Sequence, residues 1–263
     1  MKTVLIGLSD KHKQAIKKIG FGAFLELDAP FYADSQLTEQ LLTNFDPKRC
    51  CLMLPGREEE IFFDEIDVHM AYGLLMGDVK IHEPQEEFDV EYAKFLQKWR
   101  KNFDLEKGAP TNGQLISRIV KVKEVDKAED RVSDEFIWNF VVCVVNSCMC
   151  STNSTQLYIK LLYSCRDTKN IVKLDWCKFI KDHLMETSQK WLDGESYFIG
   201  PLIFLTVSYF DRVQRKGLEL PRGVPLIALW NKERFHIRIK FEKDLGFEKG
   251  KVLKRLIEYG SKK

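Results

Sequence analysis

The sequence predicts a mainly α fold, a multi-helix globular bundle with one short β-hairpin near residues 50–63. Three observations carry that expectation. The stretch Phe198–Val213 places Phe198, Ile199, Leu202, Ile203, Phe204, Leu205, Val207, Tyr209, Phe210 and Val213 on every side of a helix, and a helix apolar all round is a buried one. Apolar residues recur at helical spacing through most of the remaining chain, behind recognisable capping residues. A lone Pro-Gly turn, Pro55-Gly56, separates two short runs of strand-forming residues. Burying the ten side chains of the central helix yields roughly 15–30 kcal/mol. Ordering its sixteen residues costs about 16–32 kcal/mol. The two nearly cancel, so this helix needs the other helices around it.

Taken in order, Ser9-Asp10 caps a short basic helix that runs to Lys18 and stops at Gly20. Phe21-Gly-Ala-Phe-Leu25 reads as a bend that drops Phe21 and Phe24 into the core. Ser35 starts a helix with Leu37, Leu41 and Leu42 on one side, ending near Phe45-Asp-Pro47. Cys50–Leu54 and Glu60–Phe63 are the hairpin strands, and Asp64 caps a helix over Glu65–Leu75 closed by Gly77. Pro84–Asp89 is an acidic loop; Phe88, Tyr92, Phe95, Leu96 and Trp99 then give an amphipathic helix to about Lys101.

Lys107-Gly-Ala-Pro-Thr-Asn-Gly113 is the best linker candidate, followed by a helix over Gln114–Val125. Ser133 caps an apolar helix over Phe136–Cys148. Short helices are expected around Leu157–Tyr163 and over Asp175–Leu192, the latter ended by Gly194. After the central helix, Pro221-Arg-Gly-Val-Pro225 introduces a helix over Leu226–Phe235, and Lys243–Lys263 reads as a basic, weakly amphipathic helix. The chain divides into an N-terminal helical part with the hairpin (1–106), a helical core (114–245) and a basic tail (246–263).

The net charge of +2 over 263 residues obliges no nucleic-acid partner, but the charge is unevenly spread. Arg57–Glu91 holds twelve acidic and two basic residues, net −10, whereas Lys232–Lys263 holds eleven basic and five acidic, net +6. That asymmetry points either to a basic terminal face for an anion or to a solvated face balancing an acidic one. Seven irregularly spaced cysteines argue for free thiols in a reducing compartment. The apolar run Val4–Leu8 is too short for a signal peptide, and no run is long enough to span a bilayer. A nuclear or cytosolic, unsecreted protein without membrane contact is expected.

Candidate chemistry is sparse. Cys143, Cys148, Cys150 and His183 lack the doubled ligand spacing of structural zinc, so buried thiols are the favoured reading. Asp64, Asp67 and His69 share a helix start, where the dipole favours acids anyway. No cysteine precedes a glycine, and none of the five histidines has a distinctive setting. His12 and His236 lie in basic segments, and His82 adjoins the acidic loop. There is no phosphate-binding glycine loop and no strand–helix alternation for a pyridoxal scaffold. Trp138, Trp176, Trp191 and Trp230 read as core, and Asp211-Arg212 as part of a structural ion pair. No catalytic, metal or cofactor residue is assigned. Lys249, Lys251, Lys254 and Arg255, with Lys262 and Lys263 beyond them, are the candidate nucleic-acid contacts.

Several motifs occur together in a fixed order. They are Asn44-Phe-Asp-Pro-Lys-Arg-Cys50, the Pro55-Gly-Arg57 turn, Asp67-Val-His-Met-Ala-Tyr-Gly-Leu-Leu75, Ser133–Phe140, Tyr209-Phe-Asp-Arg212 and Pro225-Leu-Ile-Ala-Leu-Trp230. Together they resemble the aminotransferase-like plant mobile domain over about Ile19–Phe235, with Leu75 where that family has a proline. The resemblance implies a non-catalytic helical module of transposon-derived plant proteins, nuclear, acting through protein or chromatin contacts. The family label implies no transaminase chemistry. The ubiquitin-like-protein protease that often accompanies such modules has motifs that match no residues here. Two rival expectations are an accessory domain of such a protease, and nucleic-acid binding through the basic tail.

Overall fold

Helix starts along this chain are set by local side-chain caps. The Ser9 side chain accepts from the His12 amide and starts α2 (Asp10–Lys18), which follows the one-turn α1 (Lys2–Leu5). Asp34 caps α3 (Ser35–Thr43), Asp89 caps α5 (Val90–Arg100), and Ser133 caps α7 (Asp134–Val144). Reciprocal capping boxes start α4 (Glu65–Tyr72) and α6 (Asn112–Ala128). Asp175 starts α8 (Trp176–Leu192), and Asn231 starts α11 (Lys232–Leu245). The central helix α9 (Leu202–Arg212) and the single turn α10 (Leu226–Leu229) follow prolines instead. The computed structural model describes residues 1–27, 34–150, 157–218, 222–247 and 249–256.

The predicted hairpin is the larger part of a three-stranded antiparallel sheet. β2 (Cys51–Met53) pairs with β3 (Glu60–Phe62) and, on its other side, with β1 (Phe45–Asp46). Registers are Leu52 opposite Ile61 and Phe45 opposite Leu52, so all three apolar residues share the inner face.

α9 is the axle the sequence predicts. Phe204, Leu205, Val207 and Tyr209 are fully buried, as is Val213 just beyond it. Phe198 and Ile203 are only half-buried, because the helix begins at Leu202 and its first turn lies nearer the surface. Aromatic contacts radiate from it: Phe204 meets Phe63 at 5.8 Å and Tyr72 at 6.4 Å, and Tyr72 meets Phe24 at 5.6 Å. Trp176 and Trp230 are buried, while Trp138 and Trp191 are half-buried against the same core. The segment predicted as a linker is tied down: Arg100 donates to the Gly108 carbonyl at 2.7 Å, and Leu157 to that of Pro110 at 3.3 Å. Apolar residues from both sides of it enter one continuous core.

Five expectations need correction. α4 stops at Gly73, not Gly77, because Gly73 adopts the left-handed conformation (φ 66°) that ends a helix. Phe88 lies outside α5 and is 80 % exposed. The Leu157–Tyr163 helix shrinks to a 3-10 turn over Lys160–Tyr163, since the Asn146 side chain pairs with the backbone of Tyr158. The Leu226–Phe235 helix breaks at Trp230, where Asn231 caps a fresh start. Over the described residues to Leu256 the basic tail is not a continuation of helix: α11 ends at Gly246 and the chain returns as β5 (Lys251–Val252), antiparallel to β4 (Val213–Gln214).

One buried pair escaped the sequence entirely. His12 is fully buried, with Ser9 Oγ 2.6 Å from Nδ1 and the Asp126 carboxylate 3.5 Å from Nε2. Asp126 in turn accepts from the Ser133 amide and hydroxyl, joining α2, α6 and α7. Burial holds the His12 imidazole below its ordinary value of 6.5, against the pull of Asp126. The folded state therefore keeps His12 neutral at pH values where the unfolded chain protonates it. Its contribution is complete above 6.5 and declines as pH falls through 6.5 towards the depressed folded value. The stability advantage of the wild type over His12→Gln is expected to narrow between pH 7 and 5 in urea titrations. An advantage independent of pH would show that His12 does not titrate with folding.

Candidate functional site

Of the four tail residues flagged by the sequence, Arg255 is drawn into an internal contact. Phe247 is buried, stacked on Tyr209 with centroids 4.8 Å apart. Leu253 exchanges two hydrogen bonds with Arg212, its amide donating to the Arg212 carbonyl and its carbonyl accepting from Arg212 Nε, both at 2.8 Å. This carries Arg255 onto the start of α4, where its guanidinium lies 2.7 Å from Asp64 and 3.2 Å from Asp67. Lys249, Lys251 and Lys254 stay exposed, and Lys262 and Lys263 lie outside the described residues. Part of the charge asymmetry is thus an internal contact, the basic end of the chain closing on its acidic stretch.

Burial and charge pairing together set the ionisation at that contact. Burial pushes the Asp67 carboxyl up to about 6, against the hydrogen bond from the Asp64 amide and the charges of Arg255 and Arg212, while the Asp64 charge adds to the rise. Burial also works against ionisation of Asp64, but the Arg255 contact outweighs it and holds that carboxyl below its ordinary range. The Asp211-Arg212 pair resolves into two contacts: Arg222 forks onto Asp211 at 2.7 and 2.5 Å, and Arg212 faces Asp67 at 3.7 Å. Deeper still, Glu242 is shared by Arg215 and Arg238, all three nearly inaccessible, and accepts from the Tyr209 hydroxyl at 2.7 Å.

The thiol and metal candidates do not converge. All seven cysteines are buried. Burial pushes the Cys50, Cys148 and Cys177 thiols up to about 12, the opposite of what a nucleophilic thiolate needs. His69 contacts the Leu74 carbonyl at 2.6 Å, while Asp64 and Asp67 face Arg255. Among the described residues no group of three or more His, Cys, Asp or Glu side chains is arranged to hold a metal ion. No helix among them is long and apolar enough to cross a membrane.

What the sequence reading missed is a groove. Residues 76–83, an extended strap after α4, run across the start of α8. The Val79 amide donates to the Lys173 carbonyl at 3.0 Å, and the Val79 carbonyl accepts from the Asp175 amide at 2.8 Å. Further along, the His82 amide donates to Ser164 Oγ at 2.9 Å, and that hydroxyl donates back to the His82 carbonyl at 3.0 Å. Between strap and α8 lies a cavity of about 360 Å³, lined by Asp78, Lys80, Ile81 and Glu83 on one side and by residues from Asp175 to Glu186 on the other. Its floor is Phe179 and His183, one helical turn apart, with ring planes 6° from parallel and centroids 6.0 Å apart. Burial keeps the His183 imidazole below its ordinary range. Desolvation in the groove raises the Glu83 carboxyl, although the residue as a whole is exposed.

Gly77 permits this arrangement, because a Cβ there would run into the Lys173 carbonyl group. Gly77→Ala is expected to displace the strap and cost about 1–3 kcal/mol, as overpacking does. An unchanged urea midpoint would show that the strap backbone does not pack closely against Lys173. The acidic composition of residues 78–89 was legible in the sequence. Its position against α8, about a hundred residues later, had no local signal.

No curated protein and no solved structure matches the chain. A family model does match residues 1–206, ending within α9, and its description is a domain of unknown function (DUF8566). With more than three quarters of its length inside that match, the chain belongs to the DUF8566 family.

Proposed function

We propose that this protein is a non-catalytic helical interaction module of plant mobile-domain type, nuclear, that contacts a protein or chromatin partner through the strap groove. One observation carries the reading: a cavity with a pair of parallel rings holds two strap carboxylates that form no ion pair among the described residues. These are Asp78 and Glu83, whereas near the tail Arg212 pairs with Asp67, Arg222 with Asp211, and Arg255 with Asp64 and Asp67. The buried, proton-retaining thiols give no support to nucleophilic catalysis. Nucleic-acid binding through the tail loses weight as a rival because Arg255 is held by two carboxylates.

Two measurements test this. The purified chain, offered ubiquitin-like-protein conjugates and amino-donor/keto-acid pairs, is expected to turn neither over. Sustained turnover abolished by one substitution would overturn the non-catalytic reading. In affinity capture, Glu83→Lys is expected to lose protein partners that the wild type retains. An identical captured set would remove the groove from the proposal.

A further inference from the structure

The groove has a chemical preference that the interaction reading does not by itself specify. Its lining carries five carboxylates, on Asp78, Glu83, Asp175, Asp182 and Glu186, against two lysines, Lys80 and Lys178. Three of the carboxylates have internal duties: Asp175 caps α8, Asp182 lies 3.0 Å from Lys178, and Glu186 lies 2.6 Å from Lys190. Those on the strap, Asp78 and Glu83, line the cavity and form no ion pair among the described residues, the Lys160 and Lys190 charges reaching Glu83 only from farther off. Phosphate or any other anion would be repelled here. A volume of about 360 Å³ sits at the small end of ligand pockets, enough for a long side chain with its water and too little for a folded element.

The aromatic floor narrows the choice among cations. Phe179 and His183 present nearly parallel rings on one face of α8, and a neutral imidazole adds no opposing charge. A planar guanidinium stacks on such a surface and forks onto a carboxylate at its edge; a compact, strongly hydrated ammonium does neither well. Resting on the interaction-module reading, we propose that the strap groove is a receptor for an arginine side chain of a basic peptide segment in the partner, its guanidinium over Phe179 and His183 and its edge on Glu83. Asp78 adds a second charge on the strap, so neighbouring basic residues of the same segment contribute to affinity.

The test is fluorescence anisotropy with labelled Gly-Arg, Gly-Lys and Gly-Glu repeat peptides at low salt. The proteins are the wild type, Asp78→Asn/Glu83→Gln and Phe179→Leu, with circular dichroism confirming that each variant is folded. The Gly-Arg peptide is expected to bind the wild type best, with affinity reduced roughly five- to tenfold in the double carboxamide variant. Phe179→Leu is expected to weaken Gly-Arg binding about two- to fivefold and to leave the weaker Gly-Lys binding nearly unchanged. Equal binding of Gly-Arg and Gly-Lys, lost in the carboxamide variant, overturns the arginine assignment and leaves the interaction reading standing. Gly-Arg binding that is absent, or that survives both variants intact, overturns the site.

Discussion

Replacing Glu242 by glutamine should remove about 3–5 kcal/mol of folding stability, the cost of stripping a buried charge pair of one partner. Arg215 and Arg238 are almost inaccessible and both address this carboxylate, Arg238 Nε at 2.6 Å and Arg215 Nε at 3.0 Å. The amide keeps a hydrogen-bonding oxygen but leaves two guanidiniums facing each other without a counter-charge. The remaining acceptors are neutral: the Gly246 carbonyl takes Arg215 Nη2 at 2.8 Å, and the Val213 carbonyl takes Arg238 Nη2 at 2.5 Å. Urea denaturation followed by tryptophan fluorescence reads the loss directly. Since domains are typically stable by about 5–15 kcal/mol, a loss of that size is a large fraction of the whole. Adding Arg215→Met is expected to recover part of the loss, because one buried charge with one fewer repulsion is cheaper than two. A single-variant cost below about 1 kcal/mol, within the range of an exposed pair, would show that water reaches this cluster.

Phe204→Ala is expected to cost about 3–5 kcal/mol, the range for emptying a large aromatic site in a close-packed core. Phe204 is fully buried and stands between Phe63, next to the small sheet, and Tyr72 at the end of α4. Tyr72 is anchored on its far side, its hydroxyl donating to the Cys148 carbonyl at 2.6 Å, so it cannot follow the truncated side chain inward. The cavity is therefore expected to persist. A double-mutant cycle with Phe63→Leu should show coupling of about 0.5–1.5 kcal/mol for the ring pair. Strict additivity would mean that sheet and axle are not packed through this contact.

These two sites differ in how far the sequence reveals them. The axle was legible: bulky apolar residues on every side of Leu202–Arg212 leave no polar stripe to face water, and beyond its first turn that helix is buried. Most helix starts were legible for a related reason. Ser9, Asp64, Ser133 and Asp175 each accept from an amide within three residues, so the information is local. The Glu242 cluster was not, because it joins Tyr209 of α9, Arg215 just after β4 and two residues of α11 across up to 33 residues. The end of the chain failed for the same cause. Its composition suits a basic helix, but Gly246 stops α11 and the pairing of Lys251–Val252 with Val213–Gln214 outweighs a helical propensity that was weak to begin with.

The candidate site shows the same division. Residue types settle that the strap is acidic and that α8 carries Phe179, Asp182, His183 and Glu186 at helical spacing. Neither statement contains a groove. The groove exists because Gly77 lets the backbone approach Lys173, and because Val79 then bonds on both sides to the segment leading into α8.

What the sequence determined alone is everything with a short range: a mainly helical chain, its capped helix starts, a buried central helix and seven cysteines without a ligand pattern. Tertiary structure alone decided which charges are spent and which remain. Arg255 meets Asp67 across 188 residues, while Asp78 and Glu83 form no ion pair among the described residues. The reason is that an ion pair depends on distance and burial, and neither quantity is written in composition or period.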